Sequence, residues 1–212
     1  MNLEERKLMQ KAQKAGQFTD FAFLCKGTKI PVHKVIICAQ SKVFNAACTS
    51  GFKEAISGVY DLSEYPLELV EMMVDYFYLG YYEDPRADVS KVSLSTHLSM
   101  LALADKYAIR GLEPHSKLWF IHRLNQKNTE LKEFLDSLPV LDKMPISVSR
   151  DVVEEAVYYT RETLLTCTYF LKEVMLSIMS TPVASRCSDC SKSGPPFSIT
   201  LELAGGPSEE EN

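Results

Sequence analysis

The stretch Asp20–Phe44, DFAFLCKGTKIPVHKVIICAQSKVF, changes character in its middle. As far as Val32 it reads as two short extended runs. Phe21, Phe23 and Cys25 alternate onto one side of the first, and a Lys26-Gly27-Thr28 turn leads into the second, Lys29 to Val32. After His33 the spacing is helical: KVIICAQ forms a short apolar helix, and Ser41 is placed to cap a second, KVFNAACTS, which Gly51 ends. In this reading His33 opens the first helix and bonds locally, Val32 and Val35 fill the core, and Lys34 lies exposed at the helix start. A strand pair feeding a helix pair without a linker raises one question: is the His33-Lys34 junction chemistry or architecture?

Outward from this unit, residues 1–16 have helical spacing at Leu3, Leu8, Met9 and Ala12, with Gly16 as a stop. GVYDL is a brief strand, and Pro66 suits the first turn of a helix. Leu67, Val70, Val74 and Phe77 then recur at helical intervals up to Gly80. A polar loop, YYEDPRADVSKVS, precedes a helix through Leu94, Leu98 and Leu101, and Gly111 separates it from another over about 112–124. Beyond NQKN the pattern predicts an all-helical extension over 125–181. Thr129 caps a helix carrying Leu131, Phe134, Leu135 and Leu138, which Pro139 stops; Ser149 caps a longer one, and TYFLKEVMLSIMS is a third. From Pro182 Ser, Gly, Pro and Glu dominate, so residues 182–212 read as a disordered tail. Strands first and helices afterwards argue for an α+β class, a small mixed sheet capped by helices.

Composition removes several functions. A chain of 212 residues buries roughly 70% of its unfolded surface, so its core needs neither disulfides nor metal. A net charge of -5 without a basic block leaves no electrostatic footprint for nucleic acid. No window stays apolar for ~18 residues, and the charged N-terminus lacks a signal-like apolar run, so the expectation is an intracellular protein, cytoplasmic or nuclear. The six scattered cysteines agree with a reducing compartment. There is no nucleophile motif, phosphate-cradling glycine loop or recognisable carboxylate pair, so no enzyme, cofactor or small-molecule substrate is expected.

TDFAF, PVHKVIICAQSKVF, GFKEA, VYDLSEYPLELVEMMVDYFYLGYY and LADKYAIRGLEPHSKLWF follow one another in an order that resembles the BTB/POZ domain over about residues 17–124. The polar loop after Gly80 and the short helical tail look most like the fungal proteins of this family; no clear strand follows the YLGYY helix, which departs from the pattern. The resemblance implies a non-enzymatic fold for protein–protein contact, often a homodimer. Members act as dimeric transcription regulators, channel assembly domains or adaptors of a cullin-3 ubiquitin ligase.

In cullin-binding members a hydrophobic residue, any residue and then Glu follow the second helix, and here Phe52 and Glu54 hold those places. An apolar anchor beside an orienting charge is how small interfaces concentrate affinity. The extension helices could lengthen that groove or simply cover the domain's last helix. The resemblance also implies contact roles for Asp20 and Lys34: Asp20 as a buried polar contact near the dimer surface, or as a solvated residue at the strand edge. His33 lacks the partners of a base or metal ligand and reads as architecture. Tyr76, Phe77, Tyr78, Tyr81 and Tyr82 read as core packing, and His97, His115 and His122 are too dispersed for a site. Cys187 and Cys190 form half of a zinc motif with Cys167 the nearest further cysteine, which keeps a zinc- or thiol-dependent role as an alternative beside a transcriptional co-regulator.

Overall fold

The computed structural model describes residues 2–83, 91–126, 129 and 131–154, all within one compact unit, Met1–Arg161. Helix α1 (Leu3–Lys14) starts in a capping box: the Asn2 side chain accepts from the Glu5 amide while the Glu5 carboxylate accepts from the Asn2 amide. Strands β1 (Phe21–Cys25) and β2 (Thr28–Val32) pair antiparallel with Phe21 opposite Val32. Their two-residue turn holds Lys26 and Gly27 at φ 46° and 85°, the mirror-image turn whose twist matches a hairpin. Helices α2 (Lys34–Gln40), α3 (Lys42–Thr49) and α4 (Lys53–Ser57) lead to β3 (Val59–Asp61), which pairs parallel to β1. The sheet is therefore small and mixed, in the order β2-β1-β3. Helices α5 (Leu67–Leu79), α6 (Leu94–Lys106), α7 (Leu112–Leu124) and α8 (Leu131–Asp142) follow, and residues 146–154 are again helical.

The core lies between the sheet and the helices. Phe44 is its centre: its ring stacks on Tyr107 at 4.9 Å and meets Phe23 at 4.8 Å and Phe77 at 6.0 Å. Each such fully buried aromatic contributes about 2–3 kcal/mol from apolar burial. Ser41, the residue that separates α2 from α3, ties this core to the α6–α7 corner. Its hydroxyl accepts from the Phe44 amide at 3.0 Å and donates to the Tyr107 carbonyl at 2.6 Å. The corner also needs Gly111, at φ 77°, because a Cβ there would sit 2.8 Å from the Tyr76 hydroxyl.

Three sequence expectations are corrected here. Val35 is 73% exposed and not core, because the first turn of α2 points outward and Ile37 takes the buried place. Pro139 does not stop α8, which runs on to Asp142 with Pro139 inside it. The lost hydrogen bond and ring clash cost ~3 kcal/mol, but buried Phe134 and Leu141 lie on either side of Pro139, and α8 is held against α6. Ser149 does not cap the next helix either; helical residues begin at 146, after Pro145, and the Ser149 amide already donates to the Pro145 carbonyl at 3.0 Å.

Candidate protein-binding cleft

Phe52 stands at the N-cap of α4, where the chain leaves α3 and reverses toward β3. A five-residue helix fits between them because Gly58 closes it at φ 69°, its amide donating to the Glu54 carbonyl at 2.9 Å. This places Phe52, 58% exposed, and Glu54 beside a cleft of about 440 Å³. Lys42, Val43, Ala46 and Ala47 of α3 form one wall, and Tyr60 of β3 lies at its base. The Glu54 side chain is only 20% exposed and lies 3.9 Å from the Lys53 ammonium. Tyr60 packs edge-on against Phe44 at 5.3 Å, so the cleft is anchored directly on the core. Burial, then the Glu54 charge, raise the Tyr60 hydroxyl, which is a neutral donor at neutral pH. The cleft thus offers small aliphatic side chains, one exposed aromatic and a carboxylate: features that seat an apolar side chain and orient its neighbour.

The Asp20 side chain meets the Lys34 backbone. The Asp20 carboxylate is exposed and accepts from the Lys34 amide at 2.7 Å, satisfying a free N–H in the first turn of α2. The Lys34 side chain is half-buried rather than exposed, its ammonium 5.6 Å above the Phe21 ring. Between them His33 is buried. Its carbonyl bonds locally, accepting from the Ile36 and Ile37 amides at 3.0 and 3.2 Å as the helix opens, while its amide and ring reach distant partners. Its Nε2–H donates to the Gln17 carbonyl at 2.9 Å, which leaves Nδ1 to accept from the Tyr78 hydroxyl at 2.7 Å. This tautomer is inferred from the acceptor-only carbonyl. The same hydroxyl accepts from the His33 amide at 2.9 Å. The junction is architecture: one tyrosine of α5 satisfies both the backbone and the ring of the residue that turns strand into helix.

The histidines treated as dispersed are in fact gathered. His97 stacks on Trp119 at 6.2 Å and 8°, His122 meets Trp119 edge-on at 5.3 Å, and Tyr82 lies 5.2 Å from His115. Tyr82 Oη and His97 Nδ1 share a hydrogen bond of 2.8 Å. Among the described residues no three His, Cys, Asp or Glu side chains are grouped to hold a metal. Cys167, Cys187 and Cys190 lie outside the described residues. The sequence reading named Phe52 and Glu54, which both line this cleft, and placed Tyr78 in core packing, but gave no cleft role to Lys42 or Tyr60. The alternation of GVYDL was a weak pointer to Tyr60, whereas nothing local tied Tyr78 to His33.

The chain belongs to the BTB/POZ family: the domain model described as BTB/POZ domain matches residues 9–123. Among curated proteins it is similar to the mouse TD and POZ domain-containing protein 2, with 31% identity over 45% of this chain and 25% of that protein. It is also similar to protein maternal effect lethal 26 of Caenorhabditis elegans, with 30% identity over 51% of this chain and 26% of that one. Zebrafish kelch-like protein 38 matches at 33% identity over 30% of this chain and 11% of its own length. The chain thus spans about a quarter of the first two relatives. A solved BTB domain of zebrafish PATZ1 aligns at a TM-score of 0.44 and 15% identity, over 55% of this chain and 88% of that one. The family is a non-enzymatic protein–protein interaction module, which gives the coarse function.

Proposed function

We propose that this BTB/POZ chain self-associates through its N-terminal half and acts inside the cell as an adaptor that presents the Phe52–Glu54 cleft to a cullin-3 scaffold. The observation that carries the adaptor reading is the cleft itself: a phenylalanine left 58% exposed beside a largely covered carboxylate, on a wall of small aliphatic residues. Phe52 at the rim of this cleft is placed to act as the kind of aromatic anchor that concentrates binding energy at protein interfaces. Self-association is supported by Leu8, Phe18 and Val35, which are 67%, 92% and 73% exposed within the region expected to form the dimer.

A cullin-3 N-terminal fragment tests the first half of the proposal. Phe52→Ala should weaken capture by at least about 30-fold, the ~2 kcal/mol typical of an interface anchor, and Glu54→Ala should also weaken it. Indifference of capture to both changes would show that the cleft is not where the scaffold binds. Light scattering tests the second half: a strictly monomeric mass at tens of micromolar rejects a dimer of standard interface size.

A further inference from the structure

The rim of the cleft carries more apolar surface than Phe52 alone. Ile56 lies four positions on, one turn along α4, and is 85% exposed. Residues at this spacing project from the same side of a helix. Phe52 and Ile56 therefore form a short apolar ridge beside a groove whose far wall is Val43, Ala46 and Ala47. The charge at this rim runs against that of the whole chain. Lys42 is exposed, and among the described residues it makes no ion pair. The Lys53 side chain is 90% exposed, whereas that of Glu54 is 20% exposed. A chain of net charge -5 thus turns two ammonium groups outward at the cleft.

Given the protein-binding reading of this cleft, we propose that its occupant is an acidic amphipathic helix of a partner protein. Phe52 and Ile56 are its twin apolar anchors, and Lys42 is the group that meets its carboxylate. A ridge beside a groove of small side chains is the relief into which another helix packs. An added β-strand fits less well, because it needs free backbone groups along an edge. The Tyr60 backbone belongs to the β1–β3 ladder, and the Val59 amide and carbonyl are both taken by the Ser57 hydroxyl at 3.3 Å. A helix satisfies its own backbone and asks only for side chains from the cleft. The apolar ridge supplies affinity, and Lys42 sets which helix is accepted. Carboxylates along the flank are attracted there, whereas ammonium groups meet Lys42 and Lys53 as like charges.

The test measures binding of the full chain, by fluorescence polarisation, to two stapled helices of about four turns. Both carry the same leucine stripe; one bears Glu along its flanks and the other Lys. The Glu helix should bind, and the Lys helix at least about 10-fold more weakly, with the gap closing in high salt. Lys42→Glu should reverse the order. Ile56→Ser should weaken the Glu helix at least about 10-fold, while Ile56→Leu retains it. Lys42 and Ile56 are exposed, so neither change disturbs the core. Equal binding of the two helices, binding of neither, or indifference to Lys42→Glu or Ile56→Ser overturns the proposal. The same variants with the cullin-3 N-terminal fragment separate it from the adaptor reading. Capture lost with Phe52→Ala but untouched by Lys42→Glu and Ile56→Ser keeps the adaptor and rejects the acidic helix. Binding of the Glu helix at this cleft without capture of the fragment keeps the helix and rejects the scaffold.

Discussion

Replacing Tyr78 by Phe removes one oxygen atom and tests the account of the strand-to-helix junction. The ring keeps its place and its apolar area, so the change is confined to hydrogen bonding. That hydroxyl donates to His33 Nδ1 at 2.7 Å and accepts from the His33 amide at 2.9 Å, and both partners belong to a residue only 7% exposed. Burial pushes the Tyr78 hydroxyl up to about 12, so it is protonated across the whole working pH range. Its loss strands two buried polar groups, each at about 1–3 kcal/mol, for roughly 3 kcal/mol in all. Urea unfolding followed by Trp119, the single tryptophan and 6% exposed, reads this directly. The midpoint should fall with the slope unchanged, and the melting temperature by roughly 6–12 °C. Combining Tyr78→Phe with His33→Leu should cost less than the sum of the two, because each removes part of the same network. A loss below about 1 kcal/mol, or strict additivity, refutes the claim that this tyrosine satisfies the junction.

Two further measurements probe the helical half. His97 is fully buried, and its imidazole is held down at about 3, first by burial and then by Arg123 and His115. Glu83 at 3.7 Å would favour the charged ring, yet complete burial outweighs it. The folded chain therefore keeps His97 neutral while the unfolded chain binds a proton below about pH 6.5, so stability is lost as pH falls from there toward 3. His97 alone should contribute a loss of about 2 kcal/mol by pH 5, and His115, also lowered by burial, acts in the same direction. Urea midpoints at pH 7 and pH 5 should differ accordingly, and His97→Gln should flatten the difference; an unchanged pH dependence contradicts the assignment. Glu133 pairs with Arg123 at 2.7 Å and accepts from the Leu94 amide at 3.0 Å, joining α8 to α7 and to the start of α6. Glu133→Ala should cost ~2 kcal/mol and speed proteolysis between α7 and α8, while equal cleavage rates would show that apolar packing alone holds α8.

The α+β order, the hairpin, the two short helices and the stripe of α5 were readable because each is set by neighbours within a few residues. Alternation, a Lys-Gly turn and a Ser cap act locally, and they gave β1, β2 and α3 with little error. Short-range rules failed where distant packing decided the outcome. Pro139 is a helix stop by its own chemistry, yet α8 continues through it on buried neighbours. Val35 fits an apolar run but faces solvent, because the Asp20 cap fixes the direction in which α2 begins.

The candidate site divides in the same way. Phe52 and Glu54 were named through the family resemblance, from the place that cullin-binding members give a hydrophobic residue and a Glu after the second helix. Lys42 and Tyr60 complete the cleft only when α3 and β3 meet across it. His33 was recognised as architecture from what it lacked, namely partners for chemistry at sequence distance. Local pattern and chain order set most strands and helices and the turns that join them, Pro139 and Ser149 excepted. Only the folded chain brings Tyr78, forty-five residues away, to His33 and gathers the scattered histidines around Trp119. The reason is physical: local torsions and caps are encoded within a turn or two, whereas the pairing of buried polar groups exists only after the core has closed.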